Sequence, residues 1–334
     1  MRPAALLLLL GAASLGAAPP SLPPWASDKP LPEPTLFAPG EISTGESESH
    51  AAFTPDGKTV YFIKSDARFT FWTIVVSRFE NGHWTRPEVA PFSGRYRDAD
   101  PFLTPDGSKL YFLSDRPVDG TPKEDLDLWV VERKGDGWGA PRNLGAPVNS
   151  PGNEWFPTVT ANGTLYFGSD RPGGKGRTDL YRARFVDGRY AEPENLGDAI
   201  NSQYEEFEPM VAPDESFLIF MAARPGGQGG GDLWLSTFRD GAWTPAKNPG
   251  APVNSPATEI APRLTPDGRY LFFASSRGFF DQPLAERLDY GALSRKLNAP
   301  GNGLGDVYRI DVGALGLTPP AGTAPSAAAI PYSP

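Results

Sequence analysis

Five copies of one pattern run through this chain, and they decide what it can fold into. An acidic residue recurs at Glu48, Asp98, Glu154, Glu206 and Glu259, each a fixed distance ahead of a turn. Those turns read Thr54-Pro55-Asp56-Gly57, Thr104-Pro105-Asp106-Gly107, Ala161-Asn162-Gly163, Pro213-Asp214-Glu215 and Thr265-Pro266-Asp267-Gly268. The acids are spaced by 50, 56, 52 and 53 residues, within the range of radially repeated four-stranded blades. The pattern therefore predicts an all-β chain closed into a single β-propeller.

Each copy parses into four short strands. Proline presets φ in the turn, aspartate bonds its own backbone and glycine accepts the left-handed conformation, which is the chemistry of a hairpin between the first and second strands. A third strand opens on Asp127, Asp179, Asp232 and Asp306 in four copies, while Phe71 to Ser77 takes its place in the first without the leading aspartate. A second turn and an aromatic then lead to the fourth strand, at Trp84, Trp138, Tyr190 and Trp243. These aromatics can be read as a sugar-stacking ladder, but recurrence with the preceding turn favours packing between neighbouring blades. The last copy has no fourth strand after Asp311, whereas Leu36 to Ser43, ahead of the first copy, resembles Leu144 to Ser150. A strand supplied by the N-terminus would complete the last blade and remove an open sheet edge. Five blades account for every copy; six would need a degenerate blade for which the chain has no room.

The flanks read differently. Met1-Arg2-Pro3, an apolar run from Ala4 to Ala13 and small residues through Ala18 follow the order of a secretory signal, so residues 1–18 are expected to direct export to the periplasm or outside the cell. No later run approaches the roughly 20 apolar residues of a membrane helix. Residues 19–34 carry seven prolines and read as an extended linker, 35–312 as the propeller, and 313–334 as an Ala/Pro-rich tail. Both flanks are expected to lack order. The chain has no cysteine, which excludes disulfides and thiolate chemistry. Loss of Arg2 with the signal takes the formal net charge from −9 to −10, a balance that disfavours nucleic acid or an anionic lipid surface as partner.

The Thr-Pro-Asp-Gly turns, the Leu-Tyr-Phe strands, the tripeptides Ser114-Asp115-Arg116 and Ser169-Asp170-Arg171 and the Asp-Leu-Trp/Tyr strands resemble the Pro-Asp propeller repeat of the TolB type, over about residues 35 to 312. That resemblance implies an exported, WD-repeat-like bacterial propeller whose usual work is protein binding. TolB itself has six blades and an extra N-terminal domain, neither of which this chain shows.

Strand order in an antiparallel blade puts the Pro-Asp-Gly turns on one face of the disc. The recurrent acids fall on the other, together with Arg116, Arg171, Arg224 and Arg277 and with Asp127, Asp179, Asp232 and Asp306. Two readings follow. Either the charges form an ion-pair network holding the loops, which repetition in every blade favours, or the acids ring the channel mouth and bind a cation or a basic segment. A structural acid lies within hydrogen-bond distance of an arginine; a binding acid points free into the channel. Blade one breaks the pattern, with Lys64-Ser65-Asp66 where the others have Ser-Asp-Arg or its variants, no Asp before its third strand, and His50 two residues beyond Glu48, where other blades have Asp100, Phe156, Glu208 and Ala261. His50 is the candidate ligand residue there. The glycine-rich loops after Arg171 and Arg224 precede strands, so they are connectors rather than phosphate cradles.

The longest connection, Gly278 to Gly305, carries Leu284, Leu288, Leu293 and Leu297, a spacing that predicts a short helix over Pro283 to Leu297. It is the natural element for partner binding. The function expected from the sequence is thus a non-catalytic propeller that binds a protein or cell-envelope component through its loop face. A carbohydrate-active propeller enzyme, glycoside hydrolase or lyase, and a calcium-stabilised scaffold are the alternatives. No catalytic residue and no cofactor is indicated, calcium being the one ion the acidic ring would admit. Sialidase-type Ser-x-Asp-x-Gly-x-x-Trp boxes are absent, and the two histidines, His50 and His83, are too few for a histidine-rich lyase metal site.

Overall fold

The computed structural model describes residues 22–321. The expected signal, residues 1–18, and the end of the tail lie outside them. Each inner strand begins at the recurrent acid or, in the first blade, one residue before it: Ser47–Phe53, Asp98–Leu103, Glu154–Val159, Glu206–Val211 and Glu259–Leu264. Second strands follow at Thr59–Ser65, Lys109–Ser114, Leu165–Ser169, Phe217–Ala222 and Tyr270–Ser275, and third strands at Trp72–Glu80, Asp127–Lys134, Asp179–Ala183, Asp232–Arg239 and Asp306–Asp311. These pair antiparallel in order within five separate sheets, giving the five-bladed propeller. The fifth sheet is completed from the other end of the chain: Thr35 and Leu36 pair with Arg309 and Tyr308.

Fourth strands are shorter than the sequence suggests, two residues each at Glu88–Val89, Arg142–Asn143 and Glu194–Asn195, with a single bridge from Leu235 to Lys247 in blade four. Asparagine side chains supply what the backbone does not. Asn149, Asn201 and Asn254 each accept from the N–H and donate to the C=O of Leu128, Leu180 and Leu233, so a side-chain amide takes the place of a paired residue. In the closing segment Ser43 makes the corresponding pair of bonds to Val307.

The turn aromatics pack between blades. Trp138 donates from its indole to Tyr61 OH of blade one (2.9 Å), Tyr190 OH lies 3.2 Å from Tyr111 OH of blade two, and Trp243 meets Tyr166 of blade three edge-on. Trp84 meets Phe37 of the closing segment. Such contacts add about 0.5–1.5 kcal/mol each beyond the area they bury, and here they fix the angle between blades.

From residue 22 to 34 the Pro-rich stretch packs on the propeller, where an extended linker was expected. Trp25 is buried against Phe53, its carbonyl accepts from the Arg309 guanidinium, and Leu31 N–H donates to Asp311 (2.6 Å). A Cβ at Gly57 would collide with the Trp25 ring, so glycine in that Pro-Asp-Gly turn serves the packing as well as its positive φ. One large aromatic is enough to pin a segment whose composition alone argues against order.

Candidate functional site

Strand entry fixes the recurrent acids. Glu48, Asp98, Glu154, Glu206 and Glu259 have no exposed surface. In four blades the carboxylate accepts from both the N–H and the hydroxyl of a residue four earlier, Thr44, Ser150, Ser202 or Ser255, at 2.5–3.1 Å. Asp98, one methylene shorter, accepts from Ser93. Each also meets its blade's cation: Lys64 at 2.5 Å, Arg116 at 2.6 Å, Arg171 at 3.2 Å, Arg224 at 3.5 Å and Arg277 at 3.2 Å. Every arginine in turn donates to carbonyls of the preceding blade link and stacks on an aromatic of the second strand and another of the third, as Arg171 does on Phe167 and Tyr181. Asp98, Glu154 and Glu259 meet the arginine criterion, Lys64 takes that place for Glu48, and Glu206 is held chiefly by Ser202, so all five buried acids are engaged with loops. Burial raises the pKa of Asp98, Glu154 and Glu206 against the hydrogen bonds that lower it, Glu154 to about 7.

The second aspartates act separately from the arginines. Asp127 binds the Asn143 amide and Lys123, Asp179 the Asn195 amide and the N–H groups of Lys175 and Gly176, Asp232 those of Gln228 and Gly229, and Asp306 that of Gly301. Each closes its own second-to-third loop. The long loop of blade five is anchored to blade one, where Asn302 donates to Gly45 O. Its helix covers Tyr290–Leu297 only, because Asp289 caps it by accepting from Ala292 N–H (2.6 Å); Leu284 and Leu288 therefore precede it. No residue of that helix is buried, and Phe280, Leu284, Tyr290 and Leu297 stand exposed around it.

The axis carries a cluster that the sequence pattern only hinted at. In all five inner strands the ladder register breaks two residues past the recurrent acid. The residue there takes a left-handed φ: 59° at His50, 55° at Asp100, 51° at Phe156, 60° at Glu208 and 58° at Ala261. Non-glycine residues in that region cost of order 1 kcal/mol or more each and persist only where the surroundings impose it. The bulge turns each of these side chains toward its counterparts. His50 Nε2 stands 2.9 Å from Asp100 and 3.3 Å from Glu208, its N–H shared between the two and aligned with neither, while Nδ1 is 2.8 Å from Ser49 Oγ. The second oxygen of each acid caps a bulge in the next blade: Asp100 accepts from Phe156 N–H (2.9 Å) and Glu208 from Ala261 N–H (2.5 Å).

Arg263, two positions further along the fifth inner strand, lies across the axis. Its guanidinium sits 3.6 Å above the Phe156 ring and donates to Thr158 Oγ1 (2.9 Å). Burial alone would depress the His50 pKa; the charges and hydrogen bonding of Asp100, then Glu208, outweigh it and raise it to about 9. Burial pushes Arg263 down to about 9 against the pull of the same two acids. At neutral pH His50 is therefore an imidazolium and Arg263 a guanidinium, both beside Asp100 and Glu208. Sequence reasoning reached His50 but not Asp100, Glu208 or Arg263; the proline that follows the bulge in four blades, Pro101, Pro157, Pro209 and Pro262, was the available signal. Among the described residues no group of three or more His, Asp or Glu side chains has an arrangement that could hold a metal ion.

No family model and no curated protein matches this chain. Solved structures do. An α-L-arabinofuranosidase from Lactobacillus brevis is 14% identical, with 81% of this chain and 92% of that one covered at a TM-score of 0.50. A TolB homologue from Agrobacterium tumefaciens is 15% identical, with 80% and 90% covered at 0.46, and a thermostable family-43 glycoside hydrolase is 13% identical, with 81% and 90% covered at 0.48. At such identities the likeness concerns the fold, and that fold is a β-propeller.

Proposed function

We propose that this chain is an exported, TolB-like binding propeller without catalytic activity, which recognises a protein or cell-envelope component through the face that carries the long connection of blade five. The observation that carries the reading is that the entry acids and the axial acids are already engaged within the propeller. The five entry acids are spent on loops and on Lys64 or an arginine, and the axial pair Asp100 and Glu208 is spent on His50 and on bulge N–H groups. A hydrolytic acid and base need a proton path and a substrate within reach, and these groups have neither to spare. The same connection carries Phe280, Leu284, Tyr290 and Leu297 exposed, and exposed apolar side chains gathered on one element suit an interaction surface. Export rests on the N-terminal order of charged, apolar and small residues.

Two measurements test this. Replacing residues 279–300 by a short glycine linker is expected to abolish capture of envelope proteins by the immobilised full chain; identical captured sets from both proteins would remove the loop as the recognition element. Turnover of nitrophenyl arabinofuranosides or xylosides by the native chain that disappears in Glu208→Gln would replace the binding reading with the carbohydrate-active one.

A further inference from the structure

The turn face, opposite the long loop, contains a cavity of about 260 Å³ on the propeller axis. Its rim is made by the first-to-second turns, with Pro55, Pro105, Pro213 and Pro266 from blades one, two, four and five and Ala161 from blade three. Ala321 stands at the same rim, its N–H donated to Asp214 (2.7 Å). The walls are apolar, Phe102 and Met210 among them, and Arg263 lies at the inner end.

Arg263 is an unusual residue to find there. It is 3% exposed, yet among the described residues it makes no salt bridge. Its Nη1 donates to Thr158, its Nη2 reaches Asp100 O only at 3.5 Å, and its Nε has no partner. Asp100 and Glu208 attract it and Phe156 stacks on it, but a buried cation with unused donors still carries a desolvation cost that these offset only in part. The remaining donors of a planar guanidinium match a carboxylate. The neighbouring acids do not fill that role, being committed to His50 and to backbone N–H groups.

We propose that this cavity is a binding site for a small organic carboxylate with an apolar body, whose carboxylate pairs with Arg263 while the body lies among the prolines, Phe102 and Met210. The cavity falls just below the ~300 Å³ at which pockets for drug-sized ligands begin, which limits the ligand to about ten non-hydrogen atoms. This site is separate from the partner face proposed above, so either can fail without the other.

Phenylacetate, 2-phenylethanol and 2-phenylethylamine share one body and differ in charge. Titrated calorimetrically into the full chain, phenylacetate is expected to bind at least about tenfold more tightly than either of the others, the factor a charge-assisted bond to a buried group supplies. Arg263→Met is expected to remove that preference. Ala161→Trp, at an exposed rim position that leaves Arg263 in place, is expected to block all binding and keeps the test open should Arg263→Met fail to fold. Equal binding of the alcohol, unchanged phenylacetate affinity in Arg263→Met or Ala161→Trp, or no binding of phenylacetate at millimolar concentration would overturn the proposal.

Discussion

The axial histidine offers the sharpest test of how the charged cluster is held together. His50 is buried, and the rise of its pKa from 6.5 to about 9 corresponds to about 3 kcal/mol of folding stability. Because the folded value is raised, that stability is complete below pH 6.5 and is lost as pH climbs through 9. Linkage places about 2 kcal/mol of the loss between pH 6.5 and 8.5. Asparagine is the substitution of choice, since it is neutral and tolerates the left-handed φ of 59° at this position. His50→Asn leaves Asp100 and Glu208 without their shared cation, so the variant should be less stable at pH 6.5 by about 3 kcal/mol. Urea-unfolding free energies of both proteins at the two pH values decide the matter: the gap between them should shrink by about 2 kcal/mol on going to pH 8.5. A gap of constant size would mean that His50 is neutral in the folded protein and that the cluster is not an ion network. With two histidines in the chain, imidazole NMR resonances give an independent reading, the one lost in His50→Asn being the one that stays protonated at pH 7.5.

Other perturbations separate buried from exposed charge. Arg116→Ala strands the buried Asp98 carboxylate and should cost about 3–5 kcal/mol, whereas Arg78→Ala, which breaks a surface pair with Glu88, should cost at most about 1 kcal/mol; equal shifts in urea midpoint would contradict the account of the entry acids. Trp25→Ala should destabilise the whole propeller by about 3–5 kcal/mol, and a change confined to local proteolysis of the first thirty or so residues would show instead that the segment is only an appendage. Burial, with repulsion from Glu48, raises the Asp306 pKa to about 7 against the Gly301 N–H and Lys64 that lower it. Its contribution to stability is therefore full below pH 3.8 and falls as pH rises through 7. Asp306→Asn should remove that fall, so its stability relative to the native chain should improve from pH 5 to pH 8 in thermal melts.

Local chemistry explains why so much of the fold was legible. Turn dipeptides and alternating β-rich runs act over a few residues, so strand starts, hairpins, blade count and the closing N-terminal strand could all be read from spacing. The paired recurrence of acid and arginine likewise announced an ion pair, and Glu154 with Arg171 or Glu259 with Arg277 makes it. What spacing could not show was where a side chain goes when the ladder is interrupted. The helix of the long loop began seven residues later than its leucines implied because Asp289, not the leucine spacing, sets its start. Trp25 was hidden among prolines whose composition argued for disorder.

By itself, then, the sequence determined the repeat: five units that each leave an apolar face uncovered, turns that force hairpins, and no cysteine to hold any other arrangement. Only the tertiary structure decided what the repeat encloses. A left-handed residue at the same place in five strands directs His50, Asp100, Phe156, Glu208 and Ala261 toward one axis, although they are spread over more than 200 residues of sequence. The contact of His50 with two acids from other blades and the unpartnered Nε of Arg263 arise from ring closure, which no local pattern encodes.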